Sequence, residues 1–377
     1  MKRKNNSEFS CRLGKVGGQA VLEGVMMKAG ERTVTTCRKE DKSLVVYDDS
    51  FRSVRKKHKI LNLPIIRGIV NFVEMMALSV KTLGNSADAL GIEEEEGKAE
   101  KWLKKHLGVG LTDVIMVIGV ILGVVLALGL FMFLPSFLGE QVNRLSLFLF
   151  EFNLGAAGVA IVEGILKVCI FIAYLWLVSL MPDIKRTFMY HGAEHKTIAC
   201  FEAGEELTPE NAAKHKRFHP RCGTSFMFFM ILLGIVAGML LRFVLPEGFP
   251  TIAYTGIRLL ILPLIVGIGY EFIMYAGKHD NFVVRILSAP GLFVQRITTK
   301  EPTADMLEVA IISTKCALRD EFPEYMEFYL ARSWEKRETE VKYSASEENS
   351  VSEEGGSEPI LDSDIKKAEG NAAEDGE

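Results

Sequence analysis

The stretch YHGAEHKTIAC, residues 190–200, sets His191 and His195 four positions apart with Glu194 between them. On a helix, positions i and i+4 lie one above the other, about 6 Å apart, so both imidazoles can face one cation. Glu194 flanks that point, three residues after His191 and next to His195. This is the HxxEH order, the reverse of HExxH, in which two histidines bind zinc and the glutamate polarises the attacking water. Further donors follow closely: four of the seven histidines (His191, His195, His215 and His219) share one segment, and Cys222 stands at HxxC spacing from His219, which lets two ligands meet one metal. Glu271, in IVGIGYEFIMYAGKHD, is a third candidate, because a carboxylate beside hydrocarbon is costly and points to function by default. Glu202, seven residues past His195, is the weaker choice. The chemistry implied is metal-assisted hydrolysis. His191 and His195 bind a divalent ion, zinc by donor type, a third ligand comes from Glu271, His219 or Cys222, and Glu194 is the catalytic general base. The rival reading makes the histidines caps or decoration on a surface helix, His219 and Cys222 part of a tight turn, and His215 in KHKRFH a headgroup-facing basic patch.

What positions these residues is a chain whose apolar side chains are bunched into long runs. Four runs, at about 111–134, 157–181, 225–245 and 252–276, are long enough to cross a hydrocarbon core of about 30 Å, which needs ~20 helical residues. The first begins too far along to be a cleavable signal. Lys/Arg bias orients them: the segment after the first run has only Arg144 and PEGFPT has none, whereas 182–224 carries Lys185, Arg186, Lys196, Lys214, Lys216, Arg217 and Arg221. A multi-pass cell-membrane protein with both termini cytoplasmic follows, with the HGAEH segment on the cytosolic side. Five of the six cysteines then lie in the cytosol and Cys169 in the bilayer, so no structural disulfide is expected. The formal charge of −4 averages a basic membrane-proximal part with an acidic tail and decides nothing.

The fold class expected is mainly α, a polytopic membrane helical bundle of about four transmembrane helices plus an interfacial helix, with a small cytosolic β-hairpin region. Residues 1–60 form a cytosolic N-terminal region with a Gly-rich motif and a hairpin of Thr33–Arg38 with Ser43–Tyr47. Residues 61–110 hold an amphipathic interfacial helix in LPIIRGIVNFVEMMALSVKTLG and an acidic linker. The first helix pair occupies 111–181 and the second 225–277. Between them, 182–224 is a cytosolic His-rich loop: a helix from Pro182 to about Ala203, stopped by Gly204, then a short helix capped by Thr208. Residues 278–335 are a cytosolic C-terminal region, a loop through PGLFVQRITTKEPT and then an amphipathic helix from Ala304 to about Asp320. Residues 336–377 are an acidic tail of disordered composition. Glu163 and Lys167, four apart inside the second run, must face the bundle interior or water, as a structural ion pair or part of a path. The glycines around Gln19 and Glu23 lack phosphate-loop features and read as turn chemistry.

Four blocks, GGQAVLEGVMMK (17–28), YHGAEHKTIACFEAGEELT (190–208), HPRCGTSF (219–226) and TTKEPTADMLEVAI (298–311), together resemble the signature segments of the bacterial YqhQ-like family, over about residues 12–320 and in the same order. That resemblance implies a polytopic membrane protein and a metal-dependent enzyme, with no reaction attached. It carries over Gly18, Gln19, Glu23 and Gly24, then His191, Glu194, His195 and Lys196, then His219, Arg221 and Cys222; the acidic tail lies outside it. The reading is a zinc-type hydrolase working on a peptide or lipid-linked substrate at the cytosolic membrane face. Its partner is the lipid bilayer; no nucleic acid is expected, and protein partners are left open. The alternative is a non-catalytic membrane protein for transport or scaffolding, braced by a structural metal or histidine cluster.

Overall fold

The structure, a computed structural model, describes residues 12–91, 111–219, 221–246, 249–276, 281–323 and 341–343. It opens with an antiparallel meander, β1 (Val16–Val21), β2 (Gly24–Ala29), β3 (Arg32–Arg38) and β4 (Leu44–Ser50). The expected hairpin is β3 with β4. The glycine-rich stretch read as a turn is itself a hairpin, closed by Leu22 and Glu23, with Glu23 at φ +46°. Gly18 and Gly24 lie where a Cβ would strike a carbonyl of the next strand, so their glycines serve strand packing. A short β5 (Val341–Tyr343) pairs with β4 inside the segment whose composition reads as disordered. The rest of that segment and the acidic run EEEEGKAEKW lie outside the described residues.

Alternation along the strands gives the sheet two apolar faces. Val21, Met26, Cys37 and Val45 meet Leu78 and Ala89 of α1 (Ile66–Ala89). Val16, Val25, Met27, Val34, Leu44 and Val46 meet the two helices that define the site, α5 (Pro182–Ala203) and α10 (Ala304–Ala317). α1 outruns the apolar stretch that predicts it, because its last two turns are held by the sheet: Gln19 Nε2 donates to Thr82 Oγ1 at 2.7 Å and the Leu22 N–H to Ser86 Oγ at 3.3 Å.

Among the described residues, four helices are long and apolar enough to cross a membrane. The first is α2 (Leu111–Leu128), which continues through a π-type turn at Gly129–Phe133 into α3 (Leu134–Phe150). The sequence reading ends this span near 134 and places a loop after it; instead Pro135 falls just beyond the wide turn, where the missing N–H and the ring are tolerated and the helix goes on. The others are α4 (Gly155–Val178), α7 (Gly223–Val244) and α8 (Thr251–Ala276). They leave large apolar side chains exposed, Leu260 at 81% and Ile252 at 77% among them, which suits lipid and not water. The chain is membrane-associated.

Between α4 and α7 come α5 and the short α6 (Pro209–Lys214), with Pro182 in the first turn of α5, Gly204 ending it at φ +74°, and Thr208 capping α6, as their sequence signals require. The larger departure lies after α8. Where PGLFVQRITTKEPT reads as loop, α9 (Phe282–Thr298) runs straight through Pro290 and Gly291. Gly291 lets α9 lie directly on the first turn of α7, its missing Cβ filled by Ser225. That contact carries the turn before α7 into the site.

Candidate metal centre

α5 is a polar helix buried on most sides: Tyr190, Ala193, Glu194, His195, Lys196, Thr197, Cys200, Phe201 and Glu202 are all buried. Buried polar groups need partners, so the pairing scheme shows what each side chain is for. The His191 Nδ1–H donates to the Thr298 carbonyl at 2.8 Å, and the His195 Nδ1–H to the Arg217 carbonyl at 2.5 Å. Each carbonyl fixes a tautomer and leaves Nε2 as a lone pair, the arrangement that metal-ligating histidines adopt. The two rings lie 4.4 Å apart between centroids, and His191 Nε2 is 3.2 Å from Cys222 Sγ. One donor atom each from His191, His195 and Cys222 falls within 4.8 Å of the others. Burial pushes the His195 ring below its ordinary pKa, toward the neutral form a metal ligand needs.

Glu194 sits beside this group, 5% exposed, with Oε2 lacking any partner among the described residues. Burial pushes its carboxyl up to about 7, against the pull of the His191 ring and the Gly18 N–H. The close approach of β1 makes this wall: a Cβ on Gly18 would lie 3.2 Å from the Glu194 Cγ.

The remaining candidates divide between the centre's supports and other places. His219 is not among the three converging donors. Its ring lies 5.6 Å from that of His195, with Nε2 3.7 Å from Glu202 and 3.5 Å from the Arg221 guanidinium. Burial opposes the charge on Glu202, but His219, the Gly14 N–H and Arg221 together hold it below the usual carboxylate range. Arg221 is an ion-pair partner of Glu202. Lys196 donates to the Ala213 carbonyl at 2.8 Å and pairs with Glu301, so it joins α5, α6 and the segment after α9. Glu23 binds Arg186 and accepts from the Tyr190 hydroxyl at 3.3 Å, clamping the first hairpin to α5 one residue from His191. Gln19 turns away from the centre to Ser79 and Thr82 of α1. Glu271 is also elsewhere: its carboxylate is taken by the Arg67 guanidinium and the Ile65 N–H, where the start of α1 crosses α8 at Gly267. A separate Cys200, Glu205 and His215 group also has converging donor atoms, with His215 Nε2 3.1 Å from the Glu205 carboxylate.

Sequence reasoning passes over Gln295 and the backbone after it. Gln295 is fully buried on α9; it accepts from the His219 N–H at 2.8 Å and donates to the His219 carbonyl at 2.8 Å and to Ser225 Oγ at 2.9 Å. Thr298, three residues on, supplies the carbonyl for His191. Lys300 then donates its N–H to the Phe188 carbonyl at 2.8 Å, and its own carbonyl occupies the space of a Cβ on Gly192. The TTKEPT block was visible as a resemblance, but its role is carried by backbone atoms that no residue type announces.

Fold and site together define a membrane-associated, mainly helical protein with a small antiparallel sheet and, beside it, a His–His–Cys group of which His195 and Cys222 are buried and His191 is half-buried. The chain belongs to the DUF1385 family of proteins of unknown function, whose profile matches residues 63–320. It is similar to the uncharacterized protein YqhQ of Bacillus subtilis (strain 168), with 36% identity over 309 residues, covering 80% of this chain and 92% of that protein. No solved structure matches it.

Proposed function

We propose that His191, His195 and Cys222 hold a divalent ion of the zinc type and that the protein is a hydrolase working at the cytosolic face of the membrane, with Glu194 as general base. The observation that carries this reading is the convergence of two imidazole nitrogens and one sulfur from two separate elements, with both imidazoles pre-oriented by backbone carbonyls. Three protein ligands of this type are what catalytic zinc sites use. A bound ion supplies Lewis acidity where the donors meet. The chain supplies the rest: Glu194 Oε2, buried and uncommitted, takes the proton of the attacking water and returns it to the leaving group. The close approach of β1 at Gly18 helps keep that carboxyl out of bulk solvent.

The topology belongs to the same proposal. The strands before the first apolar helix, α5 between the second and third, and α10 after the fourth all contribute to one core. Two crossings between consecutive members return the chain to one side each time, which supports four crossings with α1 outside the count. The Lys/Arg-rich segments on that side favour the cytosol.

The test is elemental analysis of purified full-length protein beside His195→Ala, Cys222→Ser and, as a control for the Cys200 group, His215→Ala. Stoichiometric zinc that is lost in the first two and kept in the third is expected; absence of any transition ion from the unsubstituted protein would overturn the reading. A structural brace is the second reading, favoured by the polar network around His219, Glu202 and Arg221. Glu194→Gln separates the two. It keeps the metal in both, but abolishes complementation of a deletion strain only if the site is catalytic.

A further inference from the structure

A second set of charged side chains lies inside the apolar bundle, away from the His–Cys group. Glu163 on α4 is 4% exposed, Lys167 one turn later 5%, and Arg258 on α8 6%. Arg258 pairs with Glu163 and donates to Ser136 Oγ at 3.2 Å. Arg242 on α7 reaches Glu163 at 3.4 Å and Glu140 at 3.1 Å. Ionised groups among hydrocarbon side chains persist where they pair with one another.

Here the pairing is incomplete. Three cations, Lys167, Arg242 and Arg258, share two carboxylates, Glu140 and Glu163, so the cluster has one positive charge in excess. The arginines take the carboxylates. The Lys167 ammonium stands 4.0 Å from Glu163 and makes no hydrogen bond among the described residues. It lines, with Arg258, a cavity of about 170 Å³ whose other walls are apolar, including Phe131, Met230, Ile261 and Ile265. Such a space holds several water-sized groups, and water would satisfy the N–H donors of Lys167. Water would not balance its charge. In low-dielectric surroundings an excess cation attracts an anion far more strongly than it would in bulk solvent.

From this we infer that the cavity is a binding site for an oxyanion, a phosphate or carboxylate, held by Lys167 and Arg258, with any attached alkyl chain lying along the apolar wall. The head-group chemistry is common to a membrane amphiphile and a free anion. The inference is independent of whether His191, His195 and Cys222 hold a metal.

Detergent-solubilised full-length protein would be titrated with lysophosphatidic acid, palmitate, lysophosphatidylcholine and inorganic phosphate, following the thermal unfolding midpoint. Two variants accompany it: Lys167→Met, which removes the excess charge, and Ile261→Trp, which fills the cavity and leaves every charge in place. Saturable stabilisation by lysophosphatidic acid or palmitate but not by lysophosphatidylcholine, weakened at least tenfold in both variants, is expected and identifies an anionic amphiphile. Saturable binding of inorganic phosphate with the same dependence on both variants supports the site with a free anion as its ligand. No saturable response to any anion, or a response unchanged in Ile261→Trp, overturns the inference; that variant decides alone if Lys167→Met does not fold.

Discussion

At the scale of single residues, the centre depends on atoms that hold its ligands still. Gln295 shows this most sharply, since one amide satisfies both the N–H and the carbonyl of His219 and also reaches Ser225 at the start of α7. Gln295→Met keeps most of the volume and removes all three hydrogen bonds. A buried backbone group left without its partner costs about 1–3 kcal/mol, so the variant should lose stability by at least that in denaturant unfolding. If the proposed ion is bound, zinc affinity should also fall by roughly 10–100-fold, the usual effect of removing a support beneath a metal ligand; a stability loss with unchanged zinc affinity would restrict Gln295 to a structural part. Local spacing made His191, Glu194, His195 and Cys222 legible as candidates, because i, i+4 geometry and HxxC turns are properties of a short segment. Gln295 acts across 76 residues of sequence, and nothing in its own neighbourhood marks it. Glu271 failed to join the group for the opposite reason. Its position near a helix end was legible, but its pairing with Arg67 needs the crossing of α1 over α8.

At the scale of elements, close approach governs what the chain can do. Gly192 lies in the middle of α5, where alanine ordinarily favours a helix by about 1 kcal/mol. Here the Lys300 carbonyl fills the place of its Cβ, and being backbone held by the Phe188 carbonyl it has little freedom to yield. Gly192→Ala should therefore destabilise, by about 1–3 kcal/mol or more, and push the Thr298 carbonyl off His191. Gly256→Ala in α8, which meets nothing within 4 Å, is the control expected to be neutral or slightly stabilising in the same unfolding measurement. The elements themselves were legible where punctuation and periodicity agree, as at Pro182, Gly204, Thr208 and Pro209. They were not where punctuation residues serve packing. Pro290 and Gly291 look like a stop but sit inside α9, because Gly291 is needed against Ser225; the glycines of β1 and β2 look like a loop because they make room for neighbouring strands.

For the whole molecule, the sheet is gripped from both faces, by α1 on one and by α5 with α10 on the other, and ion pairs tie its rim to α10 and the turn that follows it. Arg38 pairs with Glu308 at 2.5 Å and Arg319 with Asp48 at 2.8 Å. Residues near the two ends of the described chain thus pack together on one side, and α5 joins them after the second long apolar helix. A chain threading a bilayer can achieve this only with an even number of crossings on each leg. The consequence is measurable with reporters whose signal depends on compartment. A fluorescent protein fused after residue 323 should fluoresce, which marks the cytosol, and one placed within residues 246–249, between α7 and α8, should not. Alkaline phosphatase at the same two points should give the reverse pattern. If both sites report the same compartment, α7 or α8 does not cross, and the shared core would have to be reached by another route. If both reverse, the His–Cys group faces outward, into a setting where Cys222 is open to oxidation, and a thiolate-bound zinc centre would lose its chemical footing.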